Sequence, residues 1–192
     1  MSTAERTDRR MTPAEYAVWE REQVERHEYY AGEVFSQGGG TRRHSLIGSN
    51  TLGEIRQRLV GHACQAHGSD MRVRIEATGY EAYPDVSVVC PPFASDTENV
   101  ITNPILLVEV LSPSTSDFDR GGKFGHYRQI PSLIEYLVFW QDEARVEQHT
   151  NMSDGLWLLR ELVGIEQTLQ LRSIKQPLPL SQVYDKVVFV EP

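Results

Sequence analysis

Polar and apolar positions near the start of the chain predict a helix followed by a short hairpin. Thr12 can cap a helix whose first turn contains Pro13, and Glu15 completes a capping box. We expect this helix to continue to about His27. Segment 28–35 then places strand-forming aromatic residues on both sides of a small Ala-Gly turn, which indicates a hairpin.

The middle of the chain predicts a second helix and three strands. Apolar residues recur at helical spacing from Arg43 to near Gly61, which indicates an amphipathic helix. Strict alternation over residues 71–76 predicts a half-buried strand. Further strands are predicted at 82–90 and 104–111. The second of these is almost continuously apolar, as is typical of a central strand covered on both faces.

The second half of the chain predicts one more helix between strands. This helix is expected from about residue 117 to 129, and the Gly121–Gly122 pair favours a later start, since each glycine costs a helix about 1 kcal/mol. Strands at 133–140 and 144–150 are expected to form a hairpin. Apolar segments nearer the C-terminus are assigned to structure alone. This order of elements indicates an α+β or mixed α/β fold.

Length and composition change this picture little. With 192 residues, we expect a single domain over residues 11–192 after a flexible tail at 1–10. No run approaches the roughly 20 apolar residues of a membrane span, and the N-terminus lacks the apolar region of a signal peptide. We therefore expect a soluble, cytoplasmic protein with no membrane partner. Cys64 and Cys90 lack a CxxC spacing and are expected to be core thiols.

The net charge of −8 argues against avid, non-specific binding of nucleic acid, which needs a basic excess that releases counterions from phosphate. A local basic surface is still compatible with this charge. Charged residues at this frequency are also typical of an ordinary solvated surface. The basic residues near the candidate site segments are Arg42, Arg43, Arg56, Arg58, Arg72, Arg74, Arg120, Lys123 and Arg128.

Two carboxylates lie in unusually apolar surroundings. Glu109 is the single charged residue in 105–111, and Asp85 directly precedes the apolar run 86–90. Buried carboxylates are costly unless a cation holds them, so a shared divalent metal is the natural ligand. A period of two gives Glu109 one defined strand face, and a separation of 24 positions (109 − 85) allows neighbouring strands to present both groups at one sheet end. Ligands with oxygen alone favour Mg²⁺ or Mn²⁺ over zinc.

Several segments together resemble the Uma-two family of restriction-endonuclease-like proteins, within the PD-(D/E)XK nuclease superfamily. Each motif is weak alone, but their joint order over residues of about 11 to 150 is specific. The segments are Arg26–Glu33, His44, Ser69–Val73, Pro84–Val86, Leu107–Thr115, Asp119–Phe124 with Tyr127, and Leu133–Tyr136.

The resemblance implies a restriction-endonuclease-like α/β/α core with a central mixed sheet and an N-terminal helical and hairpin extension. It implies that Asp85 and Glu109 bind the divalent metal and that Glu28 is a third acidic group, which binds metal or orients a water. The superfamily pattern expects a lysine two residues after the glutamate, where this chain has Leu111. Leucine cannot stabilise an anionic transition state, so the resemblance points to Lys123 as the relocated cation.

Two further residues complete the site that the resemblance implies. His44 would contact the scissile phosphate or assist proton transfer, since imidazole titrates near neutrality. Tyr127, one turn beyond Lys123, would bond the phosphate or orient the lysine. All six candidates also have structural interpretations. These are a loop end or cap for Asp85, a structural ion pair for Glu109, a helix-to-strand junction for Glu28, a capping or surface position for His44, pairing with Asp119 for Lys123, and packing for Tyr127.

The function expected from these residues is a Mg²⁺- or Mn²⁺-dependent endonuclease, with DNA favoured over RNA as partner. The resemblance also favours a homodimer. The alternative is a catalytically reduced nucleic-acid-binding or assembly module, which Leu111 and the acidic net charge favour. Other chemistries are disfavoured: Gly38–Gly40 lacks the lysine of a phosphate-binding loop, Ser112 and His126 lack an orienting acid, and no aromatic cleft marks a sugar site.

Overall fold

A computed structural model describes residues 10–38, 40–94, 99–112, 118–152 and 154–189. The elements within these ranges are α1 (Pro13–Glu20), β1 (His27–Tyr30), β2 (Glu33–Ser36), α2 (Arg42–Arg58), β3 (Gln65–Gly68), β4 (Arg72–Ile75), β5 (Tyr80–Ala82), β6 (Val86–Val89), β7 (Val100–Ile101), β8 (Pro104–Val110), a π-helical turn (Phe118–Lys123), α3 (Phe124–Tyr127), β9 (Glu135–Phe139), β10 (Arg145–Asn151), β11 (Trp157–Val163), β12 (Thr168–Leu171), β13 (Gln176–Pro179) and α4 (Leu180–Val183).

Helix α1 starts as predicted and ends earlier. The Glu15 amide donates to the Thr12 hydroxyl (3.3 Å) and the Thr12 amide donates to the Glu15 carboxylate (2.8 Å), which confirms the capping box. The predicted end at His27 is wrong, because α1 stops at Glu20. The Glu20 carboxylate accepts from the His27 amide (2.9 Å) and lies 3.0 Å from its Nδ1. This buried contact turns the chain back into β1.

The predicted hairpin is confirmed and belongs to a five-stranded sheet in the order β2-β1-β5-β4-β7. Its turn uses Ala31 and Gly32, both at positive φ. The N-terminal hairpin is therefore built into a second sheet and does not stand apart as an extension. The single strand predicted at 82–90 is wrong. Strand β5 belongs to this five-stranded sheet, whereas β6 belongs to the six-stranded sheet described below. Pro84 lies between them and has no N–H to donate to a strand partner.

A six-stranded mixed sheet in the order β11-β10-β9-β8-β6-β3 forms the centre of the fold. Strand β8 lies inside it, antiparallel to β6 and parallel to β9, as predicted for a central strand. Apolar residues of α2 and α4 pack on one face, and those of α3 and the five-stranded sheet pack on the other. The expected pairing of β9 with β10 is confirmed.

The prediction for the third helix is partly met. A π-helical turn precedes α3, whose α-helical hydrogen bonding starts at Phe124, after the glycine pair. The start expected near residue 117 and the Pro113–Thr115 part of the family motif lie outside the described residues.

The prediction that both cysteines are core thiols is wrong, because Cys64 and Cys90 form a disulfide. Strand β3 was not predicted, because its sequence shows no clear alternation of polar and apolar residues. Its pairing of Gln65 with Val89 makes Cys64 and Cys90 the next opposing pair, with Cα atoms 4.1 Å apart. Within the described residues, no helix combines the length and the apolar character that crossing a membrane requires.

Candidate active site

Glu109 lies near the end of central strand β8 and is buried. Successive side chains at this end of β8 point to opposite faces of the sheet, as predicted. Leu107 and Leu111 pack in the core on the α3 side, whereas Val108 and Val110 pack in the core on the α2 side. Glu109 therefore points toward α3, in the direction that alternation predicts. Leu111 is buried in the same core, so the position where the superfamily has lysine serves packing here.

Asp85 lies beside Glu109, directly before the first residue of β6. The register that pairs Val86 with Val108 places Asp85 opposite Glu109 on the neighbouring strand. One Asp85 oxygen, Oδ2, accepts from the Val110 amide at 2.7 Å and lies 3.4 Å from Nε2 of His44. The structure thus brings Asp85, Glu109 and His44 together at one end of the six-stranded sheet.

Helix α2 brings His44 to this point. Thr41 caps the helix, and its hydroxyl oxygen accepts from the His44 amide at 3.2 Å. Gly48 of the same helix faces Asp85, and a Cβ at Gly48 would lie in ordinary contact, 3.9 Å from the Cβ of Asp85. His44 is therefore in the first turn of α2, as the sequence predicts.

Lys123 enters from the π-helical turn and lies among three carboxylates. Its Nζ is 2.9 Å from Glu28, 3.1 Å from Asp119 and 3.2 Å from Glu109. The lysine is only 5% exposed. Both interpretations of Lys123 are thus present in the geometry, because it pairs with Asp119 and also reaches the carboxylate of β8. Asp119 had one signal in the sequence, its spacing of four residues from Lys123.

Two tyrosine hydroxyls also bind carboxylates of this cluster. Tyr127 donates to the same oxygen of Glu109 that Lys123 contacts, at 2.8 Å. Tyr80 donates to Glu28 from β5, so the five-stranded sheet also contributes to the site. Burial raises the pKa of both tyrosines well above the usual value, and both hydroxyls keep their protons. No motif or spacing in the sequence pointed to Tyr80.

The cluster carries more negative than positive charge. Burial raises the pKa of Glu109 well above its usual value; Lys123 opposes this shift, and the nearby Asp119 and Asp85 add to it. Burial also raises the pKa of Asp85, against the influence of His44. For Lys123, burial acts to lower the pKa, but the surrounding carboxylates outweigh it and raise the pKa well above its usual value. One ammonium thus lies among three carboxylates, with the carboxylate of Asp85 also close to Glu109, and this excess of carboxylates favours a further cation.

The oxygen ligands fit a hard divalent cation. Within the described ranges, no three or more His, Cys, Asp or Glu side chains are spaced to hold a metal together. Asp85 and Glu109 nevertheless form an adjacent pair, and Mg²⁺ is commonly bound by one or two carboxylates with water and substrate phosphate completing the shell. Glu28 contacts Lys123 with one oxygen and Tyr80 with the other. The pair on β6 and β8 is therefore the part of the cluster best suited to a metal.

Four of the basic residues near these segments lie in two places, on β4 and at the start of α2. Arg72 and Arg74 pair with buried Glu81 at 2.9 Å, and Arg72 is itself buried, so the predicted half-buried alternation of β4 is wrong at that position. Arg42 is exposed and Arg43 is half-buried in the first turn of α2, beside His44. The start of α2 therefore places two arginines beside His44.

A family model described as "Putative restriction endonuclease" matches residues 13–181. The chain belongs to the Uma2 family. This confirms the resemblance that the ordered motifs indicated. Two relatives from Synechocystis sp. (strain ATCC 27184 / PCC 6803 / Kazusa) support it: "Uncharacterized protein slr1290" is 36% identical over 180 residues, covering 94% of each chain, and "Uncharacterized protein sll1609" is 34% identical over 171 residues, covering 88% of this chain and 97% of the relative.

The fold of this Uma2 protein is shared with a solved structure. A crystal structure from Anabaena variabilis ATCC 29413, described as a "putative nuclease belonging to DUF820", matches with a TM-score of 0.75 over 93% of this chain and 99% of that chain. Sequence identity is 17%, so the comparison establishes the fold. The restriction-endonuclease-like architecture expected from the sequence is thereby confirmed.

Proposed function

We propose that this Uma2 protein is a metal-dependent endonuclease that hydrolyses phosphodiester bonds in DNA. The observation that carries the proposal is the position of Lys123, whose ammonium lies 3.2 Å from the Glu109 carboxylate although it arises from a different element. Leu111 leaves the superfamily's usual lysine position without a cation. Lys123 supplies that charge at the end of the same strand.

Asp85 and Glu109 are the proposed metal ligands, with Glu28 as the third acidic group. Magnesium or manganese held there would polarise a phosphoryl oxygen and acidify a water molecule. Lys123 stabilises the charge that develops on the phosphate, in a buried environment where such an interaction is strong. Tyr127 orients Lys123 through the Glu109 oxygen that both groups contact.

His44 is placed to act on the phosphate side of the cluster. Its Nε2 faces Asp85, and its position in the first turn of α2 brings Arg42 and Arg43 alongside. The exposed Arg42 and the half-buried Arg43 suit a phosphate backbone, and contacts of this kind position a nucleic acid without reading its sequence. The choice of DNA over RNA rests on the family's description as restriction endonucleases. The homodimer and the cytoplasmic location stay predictions.

A catalytically reduced binding module is the second candidate function. It is favoured by the burial of Leu111 in the core and by the engagement of the Lys123 ammonium with three carboxylates. In such a module the cluster would hold the fold together and leave cleavage to another protein.

Nicking of supercoiled plasmid DNA in manganese or magnesium separates the two candidates. We expect nicking by the wild type and a loss of about 10²–10³ in rate in Asp85→Asn and Glu109→Gln, the scale on which single electrostatic groups act in catalysis. Asp142→Asn, an exposed position, is the matched control. An RNA of the same sequence tests the substrate. Nicking that survives in Asp85→Asn would contradict the proposed site, whereas DNA binding without cleavage by any variant would establish the binding module.

A further inference from the structure

Gln141, which follows β9 after Trp140, bridges two elements that meet at the candidate site. Its side-chain amide donates from Nε2 to the carbonyl oxygen of Leu111, at 2.9 Å, where β8 ends. Its Oε1 accepts from the hydroxyl of Thr41, which lies 100 residues earlier in the chain. Gln141 is 5% exposed. The side chain therefore uses its donor and its acceptor at once, one on each neighbouring element.

These two bonds close a ring of contacts around Asp85. Thr41 accepts from the His44 amide, and the His44 imidazole lies 3.4 Å from Asp85. Asp85 accepts from the amide of Val110, the residue before Leu111. The ring thus runs from Gln141 through the first turn of α2 to β6 and β8, and returns to Gln141 through the Leu111 carbonyl.

The directions of these hydrogen bonds show that Gln141 orients the Thr41 hydroxyl and does not only fill space. A glutamine amide donates only from its nitrogen, so the bond to the Leu111 carbonyl turns its oxygen toward Thr41. The Thr41 hydroxyl then gives its proton to Gln141 and keeps a lone pair for the His44 amide. Without the glutamine oxygen, this hydroxyl proton has no fixed direction, and the helix cap weakens.

We infer that Gln141 is a positioning residue, which fixes the His44 imidazole against Asp85 by way of the Thr41 cap. The hydrogen bonds of the glutamine go to Leu111 and Thr41, neither of which is a proposed metal ligand. Its effect on cleavage rests on the proposed function, but its effect on the first turn of α2 does not.

Kinetics test the route from Gln141 to His44. Gln141→Met keeps the length of the side chain and removes both hydrogen bonds, and we expect a fall in kcat of about tenfold to a hundredfold, since a misplacement of about 1 Å can cost 10² in rate. KM should be unchanged. In a His44→Ala background, Gln141→Met should cause no further loss. An equal loss in both backgrounds would overturn the inference, because Gln141 would then act without His44.

Two sets of variants control for folding. Gln148 is also a buried glutamine, and its amide donates to Glu135 and to the Gln170 carbonyl, so Gln148→Met removes similar bonds elsewhere and should leave kcat near the wild-type value. Thr41 is exposed and its substitution leaves the core intact. Thr41→Ser should behave as wild type, and Thr41→Val should reproduce the effect of Gln141→Met. An unaffected Thr41→Val enzyme would overturn the inference.

Hydrogen exchange tests the positioning without any cleavage assay. The amides of His44 and Ser45 bond to Thr41 in the first turn of α2. In Gln141→Met we expect both to exchange about fivefold faster, the equivalent of a weakened helix cap, with no change for the Leu59 amide at the other end of the helix. Unchanged exchange would overturn the inference. Faster exchange in a protein that cleaves nothing would support it and refute the proposed nuclease activity alone.

Discussion

Replacing Lys123 with methionine removes one buried charge while keeping the length of the side chain. Glu28, Glu109 and Asp119 would then lie together without the ammonium that is 2.9, 3.2 and 3.1 Å from them. Removing one partner of a buried ion pair typically costs about 3–5 kcal/mol. Since each kcal/mol lowers the Tm of a domain of this size by about 2–4 °C, we expect the metal-free variant to melt about 6–20 °C below wild type.

The loss should depend on pH and on metal in defined directions. The pKa of Glu109 is already raised by burial, and replacing Lys123 removes the cation that opposes that shift. Protonation relieves the repulsion, so the deficit in Tm should shrink as pH falls. Manganese supplies the missing positive charge and should raise the Tm of the variant more than that of wild type.

Thermal unfolding followed by circular dichroism, first in chelator and then in manganese, measures both effects. Lys186→Met is the matched control, since the Lys186 side chain is 83% exposed and its loss should cost little. Nicking by Lys123→Met should fall about 10²–10³-fold, and Leu111→Lys in the same chain should restore part of it if the two positions are equivalent. A Tm equal to that of the Lys186 control, or unchanged nicking, would refute this account of Lys123.

Two further predictions concern groups away from the cluster. Burial beside Phe124 lowers the pKa of His149 from its usual value, against the influence of Glu147, so the folded state disfavours the charged imidazole and stability should fall as pH drops below about 6.5. In His149→Gln, the unfolding free energy measured in urea at a series of pH values should fall less as the pH drops. The same dependence on pH as in wild type would contradict the prediction. Reduction of the Cys64–Cys90 disulfide should lower the unfolding free energy by about 2–4 kcal/mol. The serine double variant should show the same loss and no response to reductant; a wild-type midpoint would count against the cross-link.

Features that depend on local periodicity could be predicted from the sequence. The Thr12 capping box, the hairpin at Gly32 and the central position of β8 each follow from residues close together in the chain. The direction of Glu109 and the shared face of Lys123 and Tyr127 follow in the same way, because strand and helix periods fix them. The parts of the candidate cluster that lie on β8 and on the helix after it could therefore be predicted from the sequence.

Features that depend on how distant segments meet could not be predicted. Residues 21–26 contain good helix formers, yet the contact of Glu20 with His27 ends α1 before them. The disulfide follows from the register between β3 and β6, which the sequence pattern does not specify. Gln141 and Thr41 meet only because the sheet and α2 pack together, across 100 residues of chain.

The turn that carries Lys123 contains Gly121 and Gly122, and glycine loses more backbone entropy on ordering than any other residue. The cation of the cluster is thus held by a costly segment, whereas Glu28 and Glu109 belong to strands in the two sheets. Local opening of this single turn withdraws the ammonium and Asp119 together and leaves both sheets folded. Opening of this turn on heating would therefore remove the counter-charge of the site even where both sheets stay folded.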